Sequence, residues 1–134
     1  MNDSGAALPQ FGCPVCRAVP ASHDGPHLSP VRHLFEESHE GYALYECPEC
    51  RQPFLGQFQE ITWLPNGEDD IWLRWMPLTS QERTQIDALF PEETEDDVAV
   101  RFLAKLMRER ARLVRDPLGR FAWSEADAGN LYGP

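Results

Sequence analysis

Two Cys-Pro-x-Cys pairs constrain this chain more than any other feature of its sequence. Cys13-Pro14-Val15-Cys16 and Cys47-Pro48-Glu49-Cys50 contain all four of its cysteines. Thirty residues separate the pairs. Two residues between thiolates let one tight turn present both sulfurs to a single cation, and the proline inside each pair helps set that turn. Zn²⁺ favours four tetrahedral ligands, with sulfur at about 2.3 Å, and two such turns facing each other supply them. Four thiolates leave no open coordination position, so one closed, structural zinc ion is expected on Cys13, Cys16, Cys47 and Cys50.

Other uses of these residues make different demands. Two disulfides would need an oxidising compartment. A thioredoxin-like redox pair would need a βαβ setting after a strand, which neither pair has. A rubredoxin-type iron centre shares the four-thiolate geometry and stays open at this level. His23, His27, His33 and His39 all lie between the pairs. By spacing, His23 and His27 could replace one cysteine pair, but four thiolates already complete a shell, and these read as loop histidines.

The two knuckles, with the strand Tyr42-Ala43-Leu44-Tyr45-Glu46 leading into the second and Arg51-Gln52-Pro53-Phe54-Leu55-Gly56 leaving it, resemble the zinc ribbon superfamily. The resemblance covers residues 11–78, about half the chain. It implies a fold and a metal and says little about activity, because ribbons serve as nucleic-acid binders, enzyme appendages and docking modules.

The resulting expectation is an α+β protein, an antiparallel zinc ribbon of three or four strands followed by two helices. Residues 1–10 read as a flexible tail, 11–78 as the ribbon, 79–116 as a helical extension and 117–134 as a C-terminal segment. Within the ribbon, 31–37 and 42–46 are expected to form a hairpin, with a short helix starting after Ser29-Pro30 as the competing reading. A second hairpin joins Phe54–Leu64 to Ile71–Leu78 across Pro65-Asn66-Gly67-Glu68-Asp69-Asp70, where Asn-Gly is the turn signal. In the last strand Ile71, Leu73 and Trp75 share one face, and Trp72, Arg74 and Met76 share the other. Both faces carry large apolar groups, so one should cover the metal core and the other should meet the helices or a partner.

Thr79 with Glu82 is a capping-box pattern for a helix ending before Pro91, with Ile86, Leu89 and Phe90 as its apolar stripe. Thr94 with Asp97 repeats the pattern for a longer helix, expected to reach Arg115. Val98, Phe102, Leu103, Leu106, Met107, Leu113 and Val114 supply its apolar side. Acids in its first turn and Arg108, Arg110, Arg112 and Arg115 in its last turns suit the helix dipole. Arg120–Trp123 reads as a short strand or docking segment.

The net charge is −10, and it is unevenly spread. Residues 11–78 hold four arginines and no lysine against ten acids, whereas 101–120 hold seven bases against two acids. A polyanion would have to use that second segment. No apolar run approaches the ~20 residues that cross a bilayer. The first residues lack the basic start and apolar stretch of a signal peptide, so a cytoplasmic protein without membrane contact is expected. No phosphate loop, dinucleotide-binding glycine pattern or serine nucleophile motif is present, and the protein is not expected to be an enzyme.

The functional expectation is a protein-interaction module such as an adaptor, an inhibitor or an immunity-type partner, with Trp72, Trp75 and Trp123 as candidate partner-binding residues. An acidic module suits a basic partner. The alternatives are a nucleic-acid-binding regulator using the basic helix 101–115, or an accessory subunit of a larger assembly.

Overall fold

Eleven residues, Pro53–Trp63, make the longest strand of a computed structural model that describes residues 11–21, 25–63 and 68–124. His23, the Asn66-Gly67 turn, the side chain of Trp63, and the segments 1–10 and 125–134 lie outside the described residues. The elements in chain order are α1 (Pro14–Arg17), β1 (Ser29–Glu36), β2 (Glu40–Glu46), β3 (Pro53–Trp63), β4 (Glu68–Pro77), α2 (Ser80–Leu89), α3 (Asp97–Arg108), β5 (Arg112–Arg115) and β6 (Phe121–Ser124). The strands form one antiparallel sheet of six in sequence order. The class is α+β, but the sheet has six strands where three or four were expected, and the two longer helices are inserted before its last two strands.

Strand alternation gives each face its own cluster. Leu44, Leu55 and Met76 are register partners on one face. They pack with Leu34 and Tyr42 against Ile86 and Phe90 of the α2 end and Leu103, Leu106 and Met107 of α3. Each fully buried side chain of this kind contributes about 1.5–3 kcal/mol. On the opposite face Phe54, Trp75 and Leu113 cluster with Cys16 and Cys47. The prediction that β4 divides its large side chains between metal core and helices therefore holds for Trp75 and Met76.

The α2 capping box is formed: Glu82 N–H donates to Thr79 Oγ1 at 3.1 Å and Thr79 N–H to Glu82 Oε1 at 2.9 Å. Its stripe is narrower than expected, since Ile86 and Phe90 are buried and Leu89 is exposed. In α3 the cap is Asp96, whose side chain accepts from Val98 N–H at 2.9 Å, and Thr94 instead accepts from Asp96 N–H. Val98 is 71 % exposed, leaving Ala99, Leu103, Leu106 and Met107 as the buried stripe.

The expected helix to Arg115 is corrected: α3 ends at Arg108, and Arg112–Arg115 is a strand. Leu73, Arg74 and Trp75 of β4 pair with Arg115, Val114 and Leu113. Without β5 those β4 backbone groups would lack ladder partners within the sheet. The strand also sends Leu113 to the Trp75 face and Val114 to the face of Arg74, a division that consecutive helical positions could not make. β5 lies inside the stretch expected to be a helical extension. Among the described residues no helix is long and apolar enough to cross a membrane.

Candidate metal centre

The first knuckle is a single helical turn. Cys13 caps it, Pro14 occupies its first position, and Arg17 N–H donates to Cys13 O at 3.1 Å. Proline suits that position because its missing N–H would be unsatisfied there anyway. The chain reaches the turn through Gly12, whose φ of +58° is a left-handed conformation that glycine adopts without strain. A Cβ at Gly12 would overlap Cys16 Sγ, so the absence of a side chain makes room for a ligand atom.

The second knuckle joins the paired strands β2 and β3. Arg51 N–H donates to Cys47 O at 2.9 Å and Cys47 N–H to Gln52 O at 3.0 Å, closing the turn. Arg51 takes φ +70°, the only positive φ among the described non-glycine residues. Backbone N–H groups also aim at sulfur in both knuckles: Glu49 to Cys47 Sγ at 3.4 Å, and Cys13 to Cys16 Sγ at 3.3 Å. Such donors stabilise thiolate charge.

The four sulfurs lie within 4.8 Å of one another. Cys13 to Cys47 and Cys16 to Cys50 are each 3.8 Å, and Cys13 to Cys16 is 4.0 Å. A tetrahedron with metal–sulfur bonds of about 2.3 Å has edges of about 3.8 Å, so the donor set fits one four-coordinate ion. The surroundings of the four thiols differ sharply. The Cys16 backbone lowers Cys13 to about 7, while burial pushes Cys16 up to about 12 and also raises Cys50. Four thiolates this close need a cation among them to ionise together. His27, His33 and His39 are exposed and outside the cluster, and His33 is a strand residue of β1.

Gln52 ties the two knuckles to the sheet. Its Oε1 accepts from Gly12 N–H at 3.1 Å, and its Nε2 donates to Pro53 O and Leu78 O at 2.9 and 2.7 Å. Trp123 extends the support: its indole N–H donates to Arg17 O at 3.0 Å and its ring lies 5.5 Å from that of Phe11. Gly12 and Gln52 escaped the sequence reading. A glycine directly before the first ligand was a usable signal, but a glutamine bridging forty residues was not.

The candidate partner tryptophans have different surroundings. Trp75 is 6 % exposed, packed in the cluster that holds Cys16 and Cys47, with Phe121 stacked on it at 6.2 Å. Trp123 is half-buried against the first knuckle. Trp72 is half-buried under the Arg74 guanidinium, 5.6 Å from its ring centre.

The basic side chains expected on one helix are also dispersed. Arg110 makes a two-pronged ion pair with Glu82, at 2.5 and 2.6 Å, and donates to Pro77 O. Arg112 is buried at 1 % exposure. What the site can do chemically is hold one metal ion through four sulfurs. Comparison of the chain with protein families, with curated proteins and with solved structures found no match.

Proposed function

We propose that this protein is a non-enzymatic, zinc-stabilised protein-interaction module of zinc-ribbon type. The observation carrying the reading is the closed set of four sulfurs within 4.8 Å. A donor set of sulfur alone suits Zn²⁺, and its four ligands leave a bound ion no position for a substrate. The second knuckle, set between paired antiparallel strands, supports the ribbon assignment.

The interaction half of the proposal rests on charge. The net charge of −10 includes an exposed acidic run before and into α3: Glu92, Glu93, Glu95, Asp96 and Asp97. Acidic surface of this kind speeds encounter with a basic protein. The nucleic-acid alternative would rely on Arg101, Lys105 and Arg108 of α3, because Arg110 is paired with Glu82, Arg112 is buried and Arg115 stands on a strand. An accessory role in a larger assembly is a form of the same proposal, with the assembly as partner.

Two measurements test it. Elemental analysis of reduced, freshly purified protein should give one zinc per chain; iron would overturn the metal assignment. Affinity capture from the native cell should retrieve a basic protein that is released by salt and unaffected by nuclease. Capture abolished by nuclease would overturn the interaction reading.

A further inference from the structure

The sheet face opposite the helices is not uniformly covered. One register row crosses it as His33, Ala43, Gly56, Trp75, Leu113 and Trp123. The knuckle cluster packs at the Trp75–Trp123 end. Toward His33 the row offers the small residues Ala43 and Gly56, flanked by aromatic rings. The result is an open cavity of about 280 Å³, lined among others by His33, Glu36, Tyr45, Gly56, Phe58 and Trp75.

Its chemistry is specific. The rings of Tyr45 and Trp75 stand at 80° to each other with centroids 6.3 Å apart, a corner of two π-systems. Gly56 lets the Tyr45 ring lie directly on the β3 backbone, because a Cβ there would overlap that ring. Glu36 brings a carboxylate to the rim, its side chain 66 % exposed and 3.9 Å from His33. Among the described residues no lysine or arginine lines the cavity. Arg115, the register neighbour of Leu73 on the same face, carries its guanidinium beside Gly119.

Aromatic rings, one rim carboxylate and a protein of net charge −10 favour a cation. A bare ammonium ion is strongly hydrated, and these walls would replace little of its water. An alkylated ammonium instead presents methyl groups to the half-buried Tyr45 and Phe58 rings, while its diffuse charge meets these rings and Glu36. We propose that this cavity binds an alkylated ammonium group, carried by a free quaternary amine or by a methylated lysine side chain. The site borders the cysteine cluster through Trp75 but uses none of the four cysteines, and it does not rest on the interaction reading.

The test uses the full metal-loaded chain and NMR titration. Choline is compared with 3,3-dimethylbutan-1-ol, which has the same shape but a carbon in place of the charged nitrogen. Choline should shift the resonances of Tyr45, Phe58 and Trp75 and bind roughly fivefold or more tightly than the neutral compound. Glu36→Gln, an exposed change that spares folding, should weaken choline and leave the neutral compound unaffected. Phe58→Leu should weaken choline more. Short peptides with and without trimethyl-lysine identify the source: the methylated peptide surpassing choline assigns a protein side chain, and choline alone binding assigns a free amine. Equal binding of choline and its neutral analogue, or no shifts with choline or either peptide, would overturn the proposal.

Discussion

Gly12 stands so close to Cys16 that a methyl group on its α-carbon would occupy the place of the Cys16 sulfur. A residue that supplies no ligand thus shapes the metal site through backbone alone. Gly12→Ala combines a strained left-handed alanine, costing about 1 kcal/mol, with displacement of one ligand. Metal affinity should fall roughly 10- to 100-fold, the range for disturbed support of a ligand. Competition with a chromophoric chelator measures this, and unchanged affinity would show that the knuckle tolerates the side chain.

Metal removal should act unequally on the two faces of the sheet. Cys16 and Cys47 share a cluster with Phe54, Trp75 and Leu113, whereas α2 and α3 pack on the other face. Chelation should therefore deprotect amides of 12–18, 47–54 and 121–124 before those of α3. Hydrogen exchange with and without chelator measures the order, and simultaneous loss everywhere would indicate a single cooperative unit. Cys47→Ser should reproduce the chelated pattern and reduce bound metal well below one per chain. Zinc contributes an apparent 10–16 kcal/mol, order of magnitude, to small zinc-finger peptides.

The cysteine cluster was legible because its information is local: each knuckle is four residues with its own turn chemistry. The α2 boundaries were legible for the same reason, from Thr79, Glu82 and Pro91. Residues 109–115 were not. Their charges and apolar spacing suit a helix continuing from α3, and what makes 112–115 a strand is the β4 edge about forty residues earlier in the chain. Trp123 likewise reads as a possible anchor, yet its partner, the carbonyl of Arg17, lies 106 positions away. Pairings of this kind depend on the assembled sheet.

Glu82 connects the α2 cap to Arg110 after α3. Burial opposes its charge, but Arg110 and the Thr79 backbone outweigh that and hold its carboxyl below the usual value of 4.5. A depressed carboxyl stabilises the fold above its unfolded pKa, and that contribution is lost as pH falls through the folded value. Wild type should exceed Glu82→Gln by about 1–2 kcal/mol near neutral pH, the scale of a charged hydrogen bond that is partly exposed. The difference should shrink as pH drops below 4.5. Urea titrations of both proteins across pH 3–7 measure it; a difference independent of pH would show that the cap, and not the charge pair, accounts for the effect.

Arg74 anchors a directed chain of hydrogen bonds beneath the helices. It donates to Gln57 Oε1 at 2.9 Å, Gln57 Nε2 donates to Tyr42 Oη at 3.0 Å, and Tyr42 donates to Glu40 Oε2 at 3.1 Å. Burial and nearby Arg112 lower the Arg74 guanidinium to about 10, so it remains charged at neutral pH. Its Nη1 has a second acceptor in Gln59, while Nη2 has no hydrogen-bond partner among the described residues. Gln57→Leu would remove one acceptor from a buried cation and should cost about 2–3 kcal/mol. Arg74→Met alone would leave the Gln57 carbonyl unsatisfied, at about 1–3 kcal/mol. Made together, the two changes leave an apolar pair and keep the bond from Tyr42 to Glu40. Replacing buried charge by apolar side chains of similar volume is often neutral or stabilising, so the double variant should be more stable than Gln57→Leu alone. Equilibrium urea unfolding of the metal-loaded proteins decides the matter. Additive losses would mean that Arg74 and Gln57 act independently despite their contact.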